Sequence, residues 1–171
     1  MPALFKDEKV LYSEVQQFRQ QWLWVLLIFS TVISLLPIIL ITLAEKKDVK
    51  QGLLVALCVM LFEGINIMLF YKTRFETAIT AKGIYYRWWP FFRKYTFINR
   101  VDIEKVSFEK WAYMHWGFSK TQKYGRAHTV DGDKGVLIEL KDGRKYYIGS
   151  QDVLLLQTAC EKMVSSPERF V

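Results

Sequence analysis

The stretch WLWVLLIFSTVISLLPIILITLA, residues 22–44, contains no charged side chain. About 20 residues at a rise of about 1.5 Å each cross the hydrocarbon core of a bilayer, so this run is long enough to span. Its polar residues are Ser30, Thr31, Ser34 and Thr42, whose hydroxyls can bond to carbonyls of their own helix. Pro37 removes one backbone donor and predicts a kink in the outer half. Trp22 and Trp24 stand at the entry, where amphipathic rings favour the headgroup level.

A second apolar run, LLVALCVMLFEGINIMLFY, occupies residues 53–71, interrupted only by Glu63, Gly64 and Asn66. The two runs hold 34 apolar residues among 42, whereas the remaining 129 residues hold 54. A protein built only as a soluble domain is excluded, and so is one built mostly of membrane. The short basic link 45–52 predicts an antiparallel hairpin of spans, with Gly52 capping one of them. A signal peptide is not expected, because the first 20 residues carry balanced charge and no small-residue cleavage site follows the first run.

Glu63 lies near the middle of the second span, where an ionised carboxylate costs at least a few kcal/mol. It is expected to bond to Ser30, Ser34 or Asn66, or to another copy of the chain. Two helices with one acid and no intramembrane base build no proton pathway.

The charge lies elsewhere. The chain has a formal net charge of +7, and residues 72–171 carry 18 basic and 11 acidic side chains, which accounts for all of it. Lys72, Arg74, Lys82 and Arg87 follow the second span, which favours both termini on the cytoplasmic side of the inner membrane.

After residue 74 the apolar pattern changes to strand-like. Strands are expected over 75–80, 84–89, 95–98, 103–111 and, more weakly, 123–130. The tight-turn signal Ala81-Lys82-Gly83 joins the first two. Residues 135–140 and 145–148 flank Asp142-Gly143 and predict a hairpin. Residues 151–164 read as an amphipathic helix with Val153, Leu154, Leu156, Gln157, Cys160 and Val164 on its apolar face and Ser150 as N-cap. Segment 4–20 is compatible with either an interfacial helix or an added strand. The expected organisation is an N-terminal segment 1–21, a membrane hairpin 22–71, an α+β domain 72–165 and a tail 166–171. Six or seven short antiparallel strands closed by one helix predict a pleckstrin-homology-like (PH-like) barrel or sandwich.

Gly83-Ile84, Gly135-Val136, Asp142-Gly143-Arg144 and Ile148-Gly149-Ser150-Gln151 form an ordered set. In this the chain resembles small bacterial membrane proteins that carry a PH-like domain, and the preceding membrane hairpin is also similar. The resemblance implies a fold and a membrane address, and little chemistry.

Two basic segments are candidate sites. Trp88, Trp89, Phe91, Phe92, Arg93 and Lys94 combine aromatic and cationic residues of the kind that anchor at headgroups. A second strand returning from a tight turn would bring them back towards the bilayer, although strand alternation must also turn some of them, Trp88 or Phe91, into the core. Lys120, Lys123 and Arg126 surround a glycine-bounded stretch, 117–125, and form a candidate anion patch, or else a solvated loop. The aromatic segment 111–116 reads equally as core or as a protein-binding edge.

Enzyme chemistry is not expected. His115 and His128 lack metal-ligand spacing, Cys58 and Cys160 lie in apolar settings, and there is no phosphate-binding loop, nucleophile elbow or paired carboxylates on one helix. No cofactor and no metal are expected, and no nucleic-acid motif is present. The expected role is a non-enzymatic adaptor or scaffold meeting anionic lipid headgroups or a protein partner, homo-oligomers through the spans included. A phospholipid or anion sensor and an accessory subunit of a larger membrane complex are the alternatives.

Overall fold

A computed structural model describes residues 8–45, 49–111 and 117–165. They form two compact units. One contains 18–73, and the other combines residues up to 17 with those from 74 onward.

The helical unit holds α1 (Gln21–Glu45) and α2 (Val49–Lys72). Both are long and apolar enough to cross a membrane. α1 continues through Pro37. α2 starts four residues before the apolar run, so Gly52 lies inside the helix and not at a cap. A Cβ at Gly52 would sit 2.1 Å from Thr42 Oγ1, so the glycine allows the two helices to approach there. At the other end, Phe18 meets Phe70 edge-on at 5.8 Å, Trp24 meets Tyr71 at 6.3 Å, and Arg19 lies over the Tyr71 ring.

The second unit is α+β. β1 (Val10–Gln17), β2 (Arg74–Thr80), β3 (Gly83–Trp89) and β4 (Thr96–Asn99) form one antiparallel sheet in that order. A 3₁₀ turn at Arg100–Asp102 leads to β5 (Ile103–Lys110). Then follow β6 (Gly117–Thr121), β7 (Gly125–Thr129), β8 (Lys134–Leu140), β9 (Lys145–Gly149) and α3 (Val153–Ser165). The second sheet has the order β5-β8-β9-β7-β6. Within it, β7 and β9 run parallel, so the sheet is mixed, contrary to the all-antiparallel expectation. Among the described residues the strands divide into two sheets and do not close into one barrel.

Residues 10–17 form a strand, because pairing with β2 satisfies the backbone of an otherwise polar segment. The stretch 117–125 is not an open loop. It supplies β6 and the turn into β7, with Phe118 opposite His128. The Asp142-Gly143 turn forms as expected: Gly143 has φ +82°, Gly143 N donates to Leu140 O, and Arg144 N donates to Asp142 Oδ1. Of the aromatic segment 111–116, Trp111 is buried with Tyr124, Leu137 and Tyr147. Residues 112–116, which include His115, lie outside the described residues, as does the tail 166–171.

The helix α3 is capped by Asp152, whose Oδ1 accepts from Leu155 N. Ser150, the expected cap, stands three residues before the helix begins and accepts from Asp152 N. The buried face is Leu156, Ala159, Cys160 and Met163, whereas Leu154 and Val164 are exposed. The apolar stripe that meets the sheets is therefore turned from the expected one by about one position, and Ala159 and Met163 complete it.

His128 joins the two sheets. From β7 its ring stacks on Phe75 of β2 at 5.5 Å, and its Nδ1 accepts a 2.9 Å hydrogen bond from Trp88 Nε1 of β3. Burial, with the nearby charge of Arg126, pushes its pKa down to about 4. The folded protein thus refuses a proton that the unfolded chain accepts near pH 6.5, and stability falls as pH drops from about 6.5 to about 4. Between pH 7 and pH 5 this amounts to about 2 kcal/mol. Denaturant unfolding of the protein in detergent micelles at the two pH values is expected to show this loss. His128→Gln is expected to remove most of the slope, and an equal slope in the variant would contradict the assignment.

Candidate functional site

The tight turn at Ala81-Lys82 sets the β2–β3 register at Ile79↔Ile84, Glu76↔Arg87 and Arg74↔Trp89. Alternation then sorts the hairpin into two faces. Phe75, Ile79, Ile84, Tyr86 and Trp88 are buried on the core side. Arg74, Glu76, Arg87 and Trp89 share the opposite side.

On that opposite side the Glu76 carboxylate is only 3% exposed. Arg74 Nε lies 2.8 Å from its Oε1, and Arg87 Nη2 lies 2.8 Å from its Oε2. Arg87 Nε and the Tyr95 hydroxyl both donate to Oε2. Burial by itself would raise the pKa of Glu76. The hydrogen bonds from Arg87 and Tyr95 and the charges of both arginines outweigh it and hold the carboxyl below its ordinary value. Burial and the bond to Glu76 push the Tyr95 phenol up to about 12, so it remains a donor.

This cluster grips both ends of the loop between β3 and β4. Arg87 lies over the rings of Trp89, at 5.6 Å, and Tyr95, at 4.2 Å. Its Nη1 also donates to the Arg93 carbonyl at 3.0 Å, and Phe92 N donates to Trp88 O at 2.7 Å. The loop is thus pinned at its base while its tip is open. Phe91 and Phe92 are 61% and 63% exposed, and the Arg93 and Lys94 side chains are exposed beside them.

Of the six residues expected at a membrane interface, Phe91, Phe92, Arg93 and Lys94 lie in this loop, and Trp89 ends β3 at its base. Trp88 is the exception, at 6% exposure, because alternation places it on the core side with Phe75 and His128. Trp89 is half-buried under Arg74 and Arg87. Phe91, the other residue weighed as core, is outside it.

The second basic patch is divided by the structure. Lys123 pairs with Glu109 at 2.8 Å and hydrogen-bonds the Tyr124 hydroxyl. Lys120 and Arg126 are cross-strand partners on β6 and β7 and line a cavity of about 320 Å³. Arg144 and Lys145, from the β8–β9 turn, line the same cavity, and the sequence reading did not include them.

In the helical unit, Ser34 Oγ donates to Ser30 O at 2.8 Å and Asn66 Nδ2 donates to Phe62 O at 2.9 Å. Both bonds run to the residue's own helix one turn back and not to Glu63. Cys160 is a buried free thiol, and burial pushes it up to about 12.

No protein-family model matches the chain, and no curated protein or solved structure matches it. The chemistry of the loop and of the cavity therefore carries the functional reading.

Removing the charge at Glu76 leaves Arg74 and Arg87 without their shared counter-ion; with those side chains 39% and 18% exposed, solvent offsets part of the cost of about 3–5 kcal/mol typical of a buried pair. Glu76→Gln is expected to lower thermal stability and to free the loop. Limited trypsin digestion should then cut after Arg93 or Lys94 sooner than in the native protein. Unchanged digestion kinetics would show that the cluster does not hold the loop.

Proposed function

We propose that this chain is a non-enzymatic, membrane-anchored adaptor at the inner face of a bacterial membrane. Its α+β unit is PH-like, and it rests among anionic headgroups through Phe91, Phe92, Arg93 and Lys94. The rest of its surface is presented to a protein partner.

The observation that carries this reading is the position of the loop along the chain. β1 ends at Gln17 and α1 begins at Gln21, while α2 ends at Lys72 and β2 begins at Arg74. Gln17, Arg74 and Trp89 are successive cross-strand neighbours in one row of the sheet. Both covalent links to the helices therefore leave from the row that ends at Trp89. Along the chain, only Thr73 separates the last residue of α2 from Arg74. The exposed loop begins two residues after Trp89.

The chemistry of the loop fits such a place. Two adjacent phenylalanines in water expose apolar area with no packing partner, and the headgroup–acyl boundary removes it from water. Each cation close to an anionic leaflet contributes about 1 kcal/mol. The basic residues after α2, with Arg74 and Arg87 close behind, support both termini on the cytoplasmic side. A four-stranded antiparallel sheet, a second sheet and a single C-terminal helix packed on β1, β2 and β8 support the PH-like reading.

A nitroxide label measures this directly. In a Cys58→Ser/Cys160→Ser background, Phe92→Cys and Lys141→Cys are labelled separately, and the full chain is placed in nanodiscs containing phosphatidylglycerol. The label at position 92 is expected to collide more with oxygen and less with a water-soluble nickel chelate than the label at 141. Equal accessibility at the two positions would defeat the proposal.

A further inference from the structure

We infer that the cavity between the β6–β7 and β8–β9 turns is a binding site for a multiply charged phosphate group. It stands on residues separate from the membrane loop and holds whether or not that loop meets lipid.

The cavity is cationic by construction. Lys120 and Arg126 are direct partners across β6 and β7, and Arg126 is also the parallel neighbour of Tyr146 on β9. Like charges placed opposite each other destabilise a strand pair, and an anion seated between them reverses the sign. Of the four cations at the cavity, Arg144 is met by Asp142 at 2.6 Å and Lys145 by Glu139 at 2.8 Å. Among the described residues neither Lys120 nor Arg126 has a carboxylate partner, so the cavity keeps an excess of about two positive charges.

The groups also converge. Lys120, Arg126, Arg144, Lys145 and Tyr146 all line the same space. Burial pushes the Tyr86 phenol up to about 12, and the charges of Arg126 and Arg144 oppose that rise. Gly125 closes the cavity. With φ +64°, it brings the β6–β7 turn so near β9 that an added Cβ would lie 2.2 Å from the Lys145 carbonyl oxygen. Guanidinium forks match phosphate oxygens two at a time, and Lys120 adds a point charge. A volume of about 320 Å³ exceeds a single phosphate, leaving room for a diphosphate or for a phosphate and the group that carries it. A phosphorylated lipid headgroup and a soluble phosphorylated metabolite present the same chemistry.

Pyrophosphate is the probe. Titrated calorimetrically into the full chain in phospholipid-free detergent micelles at constant ionic strength, it is expected to bind saturably. Lys120→Ala/Arg126→Ala is expected to weaken binding by roughly tenfold or more, and Lys123→Ala to leave it unchanged. Arg126→Lys, which keeps the charge and loses the fork, reads the same contact should the double variant not fold; its expected affinity lies between native and double variant. Absence of saturable binding, or equal affinity in native protein and Arg126→Lys, would overturn the inference. Repeating the titration in phosphatidylglycerol and phosphatidylcholine nanodiscs separates the sources. Pyrophosphate excluded only by phosphatidylglycerol assigns a lipid headgroup, and binding retained in both assigns a soluble phosphate. A Phe92→Ser/Arg93→Ser/Lys94→Ser variant should keep its pyrophosphate affinity, so failure of the membrane reading and failure of this one are distinguishable.

Discussion

The β2–β3 hairpin buries the negative charge of Glu76 almost completely, and an isolated charge there would be expelled or protonated. Arg74, Arg87 and Tyr95 meet it from three positions along the chain. Satisfying that charge has consequences beyond the ion pair. Arg87 can reach Glu76 only if β2 and β3 hold their register, and Tyr95 can reach it only if the chain turns back after residue 90. The same Arg87 ties down the Arg93 carbonyl and lies over Trp89. One buried carboxylate thus positions the exposed Phe91–Phe92 tip, which has no packing of its own to position it. The stabilisation contributed by such a cluster is modest after desolvation, but losing one member leaves uncompensated charge.

On the core side of the same hairpin the device is aromatic. Phe75, Tyr86 and Trp88 surround His128, which crosses from the second sheet as a neutral acceptor. Two sheets that share no strand are held together there by ring packing and one hydrogen bond. The helical unit relies on contacts of another kind. Ser30, Thr31, Ser34, Thr42 and Asn66 bond back to their own helix, and Gly52 allows close approach at Thr42.

Much of this was legible in the residues, and the limits are informative. Residues 22–44 and 53–71 report their own helices, because in an apolar medium length and absence of charge suffice. The hairpin at Asp142-Gly143 reports itself through turn chemistry. The Glu76–Arg87 pair was also within reach. A turn at residues 81 and 82 puts 76 opposite 87 by counting, and the opposite charges of Glu76 and Arg87 then mark the pair. By contrast, the apolar face of α3 was misplaced by about one position, because Leu154 and Val164 are as apolar as Met163 and only the sheets beneath decide which of them is covered. The five residues of β6 carry little apolar signal, and pairing with β7 supplies their order.

The residues by themselves determined that two segments can cross a membrane, that the surplus positive charge follows the second span, and that the chain after that span is built of short strands with a terminal helix. Those properties are local: each depends on a window of neighbours and on the bilayer or water around it. Only the tertiary structure decided which basic residues act together. Lys123 is nearer in sequence to Lys120 and Arg126 than Arg144 and Lys145 are, yet it is bound to Glu109. The parallel pairing of β7 with β9 brings the distant pair to the cavity instead. Charge acts through space, and distance along the chain says little about it once strands far apart in sequence lie side by side.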